Sequence, residues 1–252
     1  MDAVYMAIVA AGMGALWWRH LRPPAARALA SVFDGDAEVA LHVASHEART
    51  RHEPLSSLHV LYGLLQDEVI AAAITEVGGD VAALEDCVLA ALDAKPHPDT
   101  RDAEDDGHRV YSYAASHAHH ADRRAGCVDL WAYLRVSDAA ALLADADVDV
   151  ARVLFRLCHG EATPIADAIG TADVHVVLRN DDYTTQEFVC EVLTELFGLT
   201  SDEAIARMLE THTTGRAIAG RYRPAEARDK ILEVRTRART RGFPLWVGLE
   251  PI

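Results

Sequence analysis

The chain has 252 residues, a net charge of −15, a hydrophobic fraction of 50% and few aromatics at 6%. That length accommodates one large domain or two modest ones around a real core. The acidic balance excludes non-specific binding of the whole molecule to nucleic acid or an anionic membrane surface. The charge is uneven: Arg216 to Arg241 carries nine Arg/Lys against three Asp/Glu, a net of +6 that leaves −21 elsewhere. An acidic front and a basic tail attract each other, within one molecule or between two. The four cysteines, Cys87, Cys127, Cys158 and Cys190, form no CxxC pair and lie in apolar helical patterns. They read as buried free thiols of a reducing compartment.

Ala3 to Trp18 is an uncharged run of 16 residues followed by Arg19, His20 and Arg22. It reads either as a short membrane anchor, with the arginines and Trp17-Trp18 at a cytoplasmic interface, or as a leading helix packed on the first domain. Ala37 to Leu92 reads as helical throughout. Pro54-Leu55-Ser56-Ser57 is a break, with Ser56 or Ser57 capping a helix that carries Leu58, Leu61, Leu64 and Leu65. Val69 to Val77 is a third helix stopped by Gly78-Gly79, and Asp80 caps a fourth with Leu84, Val88 and Leu92 inward. Lys95 to Gly107, with Pro96, Pro98 and a run of acids, reads as a solvated linker.

Val110 to His159 repeats the plan. A helix runs through Ala114 and Ala118, and Leu130-Trp131-Ala132-Tyr133-Leu134 parallels Leu58-His59-Val60-Leu61-Tyr62. Asp138 then opens another helix, and Asp147-Val148-Asp149 parallels Gly79-Asp80-Val81. Such self-similarity implies two stacked helical units on one core. His117-Ala118-His119-His120 invites a metal reading, but only His117 and His120 share a helix face and no carboxylate or cysteine completes a set nearby in sequence. No cofactor is expected.

After Glu161 to Thr171, a short link, the period changes. Val174 to Arg179 is a β-branched run that leads into Asn180-Asp181-Asp182-Tyr183-Thr184, a turn crowded with hydrogen-bond acceptors. Thr184 with Glu187 reads as a capping box, so Thr184 is the expected N-cap of a helix over 185–197. Thr200 and Glu203 form another. The helix after it is expected to turn Ile205, Met208, Leu209 and His212 inward. Arg216 to Tyr222 reads as a strand, Pro224 to Thr240 as a helix on Ala227, Ile231, Val234 and Ala238, and Phe243 to Leu249 as a closing strand. The order is β-α-α-β-α-β, an α+β unit with a small sheet covered by helices on one side.

Val176 to Thr184, Glu187-Phe188-Val189, Met208 to His212, Gly215-Arg216-Ala217, Pro244-Leu245 and Leu249-Glu250 together resemble the ClpS family over about residues 173–252. That family comprises bacterial adaptors that recognise N-degrons for the ClpAP protease. The resemblance implies a pocket for the first residue of a substrate that begins with a bulky apolar side chain. A free α-ammonium has three donors and wants about three acceptors at the mouth of an apolar pit. Asn180, Asp181 and His212 would supply them, with His212 neutral so that a ring nitrogen accepts. Asp182 and Thr184 resemble the positions of the peptide-holding rim, and Val189, Met208 and Leu245 the walls. Gln186 stands where Met is usual and Thr211 where an aliphatic residue is usual, which makes the pocket more polar. Lys230 matches a position that contacts the chaperone. Its usual acidic companion aligns with Ala225, beside Glu226.

Residues 44–80 and 114–160 resemble the double helical repeat of Clp ATPase N-terminal domains, that of ClpA above all. The resemblance rests on Glu47-Ala48-Arg49 through His52-Glu53, Leu58-His59-Val60-Leu61, Gly78-Gly79-Asp80 and Cys158-His159-Gly160. No GxxxxGK[ST] is present, so no ATPase module is expected. The expected organisation is an apolar segment at 1–28, an all-α double-repeat domain at 29–160, a link at 161–172 and a ClpS-like domain at 173–252. The expected function is that of a non-catalytic cytoplasmic adaptor that reads N-terminal residues for a Clp AAA+ protease, with a ClpA-like unfoldase and N-degron proteins as partners. The alternatives are a regulatory or decoy protein whose helical domain masks this adaptor surface or binds another adaptor, and a nucleic-acid binder using the basic last helix.

Overall fold

The computed structural model describes residues 32–94, 100–160 and 172–252, with the backbone alone at 100–105 and 108. The apolar segment at 1–28 and residues 161–171 of the expected link lie outside the described residues. Eight helices come first: α1 (Gly35–Thr50), α2 (Ser57–Leu65), α3 (Glu68–Glu76), α4 (Val81–Ala94), α5 (Thr100–His120), α6 (Cys127–Leu134), α7 (Ala139–Asp145) and α8 (Val150–His159). After them come β1 (Val174–Arg179), α9 (Gln186–Glu195), α10 (Ser201–Thr214), β2 (Arg216–Tyr222), α11 (Pro224–Thr240) and β3 (Trp246–Pro251). The molecule is mostly helical, with a small antiparallel sheet in its last third.

The eight leading helices share one apolar cluster, centred on Leu61, Leu64, Ile70, Leu84, Leu130 and Trp131. Ser56 caps α2 reciprocally with His59, and Asp80 accepts from the amide of Ala83 at the start of α4. Helices α1 and α2 approach so closely that a Cβ on Gly63 would lie 2.2 Å from the carbonyl oxygen of Ala40. Only glycine fits there.

Two expectations are corrected in this half. The acidic run is not all linker: from Thr100 it is the first part of α5. Nothing from Thr100 to Asp106 breaks a helix, and carboxylates in the opening turns favour one. Nor is the run only solvated, because Asp106 is buried and accepts from the Ser57 amide at 2.7 Å, closing the start of α2. Cys87, expected in the core, is exposed. Helix α4 turns Leu84, Val88 and Leu92 inward, and Cys87 lies just off that line.

In the last third the strand order is β2-β1-β3, so β1 is central. Val176 faces Gly220 on one side and Leu249 on the other, with a bulge in β2 between the partners of Val176 and Val177. Val176, Leu178, Phe188, Val192, Ile231 and Val234 form the second apolar cluster. The expected inward face of α11 is observed. The last strand begins later than expected, at Trp246. Gly242, with φ 73°, and the Phe243 amide bonded to the Ala238 carbonyl close α11 first, and Pro244 has no N–H to give to a ladder.

Helix α10 is rotated from its expected orientation. Ala204, Met208 and Thr211 face inward, whereas Ile205 and Leu209 are each 47% exposed and His212 is exposed. The two sets differ by one residue, about 100° of helix rotation. The apolar count alone did not distinguish them.

Candidate functional site

The chain leaves the central strand directly into the acceptor-rich turn. The Asn180 amide donates to Gly215 O at 2.9 Å, tying the turn to the end of α10. Asp181 organises the rest of the turn. Its Oδ1 accepts from the amides of Tyr183 (2.8 Å) and Thr184 (2.7 Å), and its Oδ2 accepts from the Thr184 hydroxyl at 2.8 Å. The N-cap of α9 is therefore Thr185, whose hydroxyl accepts from the Phe188 amide, and not Thr184 as expected. Thr184 is drawn away by the carboxylate behind it.

This turn forms one side of a cavity of about 1070 Å3. Asn180, Asp181, Asp182, Thr184 and His212 line it, with Gln186 and Thr211. So do the apolar Val189, Met208 and Leu245. All ten recognition residues read from the sequence thus share one cavity. Thr211 is less polar than its name suggests, because its hydroxyl donates to the Arg207 carbonyl one turn back at 2.8 Å.

The opposite side of the cavity comes from α5 and the turn after it, which the sequence reading assigned no role. Ser112, Tyr113, Ser116, His117, His120 and Arg123 line it. The two sides are joined through Asp129 on α6, which is 1% exposed. Arg123 grips its carboxylate with two bonds of 2.7 and 2.9 Å. The Gly126 amide donates to it at 2.8 Å, His117 Nδ1 lies at 2.9 Å, and the Tyr183 hydroxyl donates at 3.1 Å. The Tyr183 ring stacks on His117, with centroids 4.6 Å apart and planes 8° apart, and belongs to the first apolar cluster. His117 Nε2 meets the Asp182 carbonyl, and Arg123 reaches the Asp182 carboxylate at 3.4 Å. A carboxylate does therefore approach the histidine run, but from the next helix, and an arginine already neutralises it. Farther off, His159 donates to the Pro244 carbonyl at 2.8 Å and Arg239 pairs with Asp149 at 2.5 Å.

Charges in the site are set by these contacts. Burial opposes ionisation of Asp129, but the donors His117, Arg123 and Gly126 hold its carboxyl well below the usual range. The bond to Asp129 raises the His117 pKa, against the effect of burial. An imidazolium satisfies the acceptors at both its nitrogens, whereas a neutral ring satisfies only one. Burial pushes Asp181 up, countered by the Thr184 and Tyr183 donors, and pushes the neighbouring His159 down. Asp181 is thus a half-buried carboxylate without a full countercharge among the described residues.

Stability therefore depends on pH. A group with a raised folded pKa stabilises fully below its unfolded value, about 6.5 for histidine, and that contribution is lost as pH rises through the folded value. His159 acts in the opposite sense, because its folded pKa is lowered. The stability of the wild type minus that of His117→Gln isolates the first effect. That difference is expected to shrink between about pH 6 and pH 8 in urea titrations. A difference that is flat or grows over that range would contradict the assignment.

Lys230 and Glu226 lie on α11 and do not line the cavity. Lys230 donates to the Leu196 carbonyl at 2.6 Å, sits over the Tyr222 ring at 4.8 Å and is 3.7 Å from Glu226. The arginines at the end of α11 have partners within the chain. Arg237 pairs with Glu195 and Glu233, Arg239 with Asp149, and Arg241 with Glu191.

A family model described as ATP-dependent Clp protease adaptor protein ClpS matches residues 171–248. The "ATP-dependent Clp protease adapter protein ClpS" of Neisseria meningitidis (strain Z2491) is 49% identical over 77 residues, which are 31% of this chain and 75% of the relative. The chain belongs to the ClpS adaptor family. The ClpS protein of Wolinella succinogenes is 44% identical over 75 residues, 30% of this chain and 74% of its own length. Among solved structures, Agrobacterium tumefaciens ClpS2 bound to L-phenylalaninamide is 33% identical, covering 32% of this chain and 99% of its own, with a TM-score of 0.32. The ClpS segment holds the turn, Val189, Met208, His212 and Leu245. The α5 side of the cavity lies outside it. One sequence signal pointed there: Tyr183, an aromatic ring in an otherwise polar turn, needs an apolar partner.

Proposed function

We propose that this chain is a non-catalytic adaptor that binds the N-terminal residue of other proteins and delivers them to, or regulates, a ClpA-like Clp AAA+ protease. The observation that carries the reading is the shared cavity of Asn180, Asp181 and His212 beside Val189, Met208 and Leu245. A carboxylate has about four lone-pair sites. Asp181 uses three of them on Tyr183 and Thr184. One acceptor position remains, on a half-buried carboxylate that lacks a full countercharge among the described residues, and an ammonium supplies both the donor and the charge. The Asn180 amide oxygen and a His212 ring nitrogen complete three acceptors, and the apolar side chains receive a bulky first residue.

In this reading the helical part is a ClpA-like N-terminal domain with two repeats, fused to the adaptor and docked on it. Its contacts support regulation by this domain over capture of a second adaptor, because Asp129, His117 and Arg123 grip Tyr183 and Asp182 at the recognition rim itself. Lys230 and Glu226, away from that contact, serve the unfoldase. Pairing of Arg237, Arg239 and Arg241 with carboxylates of the chain weighs against nucleic acid. Residues 3–18 either anchor the protein to the inner membrane or leave it cytoplasmic.

The test is titration of peptides that begin with Leu, Phe, Trp, Arg or Met, and of an acetylated Leu peptide, against the protein. The Leu and aromatic peptides are expected to bind and the acetylated one to lose at least tenfold, about 1.4 kcal/mol. Equal binding of free and acetylated Leu peptides overturns the reading.

A further inference from the structure

Eight of the residues lining the cavity, Ser112 to Arg123, lie outside the segment that matches the adaptor family. We infer that α5 is part of the peptide-binding site: Ser112, Ser116 and His120 form a subsite for the second and third residues of a bound peptide, across from the turn that takes the first. This rests on the N-terminal-residue reading above.

Size is the first reason. A cavity of about 1070 Å3 matches the upper end of pockets that enclose a whole drug-sized ligand, roughly 300–1,000 Å3. That is room for a short peptide, not for one side chain.

Fixity is the second. The α5 side is held in register with the turn by the Tyr183–His117 stack and the shared Asp129 carboxylate. A binding wall needs such support from rigid elements. The residues that provide it have their polar groups engaged: both His117 nitrogens face acceptors, and Arg123 is bidentate on Asp129.

The remaining wall has the chemistry of a main-chain reader. His120 Nδ1 lies 2.6 Å from the Ser116 carbonyl. A carbonyl only accepts, so Nδ1 carries the proton and a neutral ring keeps Nε2 as an acceptor for a peptide N–H. Ser112 and Ser116 precede His120 at helical spacing on the same face, and their hydroxyls both donate and accept. Their small size leaves space for the side chains of a peptide leaving the first-residue pit.

The experiment compares leucinamide, Leu-Ala-Ala-amide and acetyl-leucinamide on the full chain and on Ser116→Trp and His120→Ala. Neither position is buried, and circular dichroism checks the fold. In the wild type, extension from leucinamide to the tripeptide amide is expected to raise affinity about tenfold. Ser116→Trp should erase that gain and His120→Ala reduce it, with leucinamide binding unchanged within twofold. A gain preserved in both variants, or absent from the wild type, overturns the subsite. Equal binding of leucinamide and acetyl-leucinamide instead overturns the N-terminal-residue reading on which it rests.

Discussion

Asp129→Asn is expected to lower folding stability by about 3–5 kcal/mol, because removing one partner of a buried ion pair leaves the other charge uncompensated. The carboxylate is 1% exposed and gathers Arg123, His117, the Gly126 amide and Tyr183. An amide keeps the shape but offers two hydrogens where donors already point. Urea denaturation measures the loss, and a change below about 1 kcal/mol, the worth of an ordinary hydrogen bond, would mean that this network does not hold the two sides together. Tyr183→Phe removes only one hydroxyl and should cost about 1 kcal/mol. In the double variant the two losses should fall short of their sum, since both remove the same contact. Acid acts on the same point. Asp129 has a depressed folded pKa, so its contribution is full above the unfolded carboxyl value near 4 and is lost as pH falls below it.

The second large effect separates binding from folding. Asp181→Asn is expected to weaken free-amine peptide binding at least a hundredfold, in line with about 2–5 kcal/mol for truncating one side of a buried charge pair. It should also destabilise the fold by about 1–3 kcal/mol, because three donors from Tyr183 and Thr184 lose a full carboxylate. His212 is exposed at the cavity. His212→Ala should weaken binding about tenfold while leaving stability within about 0.5 kcal/mol, as surface changes do. Isothermal titration with an acetylated control, beside thermal melts, reads both quantities. Near-wild-type peptide binding by Asp181→Asn would remove the carboxylate from the proposed site.

Much of the adaptor segment was legible because its signals are local. β-branched residues mark β1 over Val174–Arg179, Gly215 ends α10 with φ 83°, and Pro224 opens α11. The candidate recognition residues came from family resemblance, and what the structure adds is that they line one cavity. Errors arose where two neighbouring residues compete for one role. Thr184 and Thr185 are both competent caps, and only the position of Asp181 decides between them. Ile205 and Leu209 look as apolar as Met208, and only tertiary packing selects the inward face. For the α5 side of the cavity the sequence carries one hint, the Tyr183 ring in a polar turn, and nothing that names its partner. Its meeting with the turn joins residues as far apart as His117 and Asp182, 65 positions along the chain, and no local pattern encodes such a pairing.

The central place of β1 in the sheet has a consequence for motion. Its amides are bonded to β2 on one side and β3 on the other, and such flanked strands exchange hydrogen last. The Asn180-Asp181 end of the turn grows directly out of that strand and shares its reluctance to open. Exposed Gln186, at the start of α9, lies beyond that strand-bonded end. In the proposed reading that end would serve as an anvil: the ammonium would meet acceptors that the sheet itself keeps from moving.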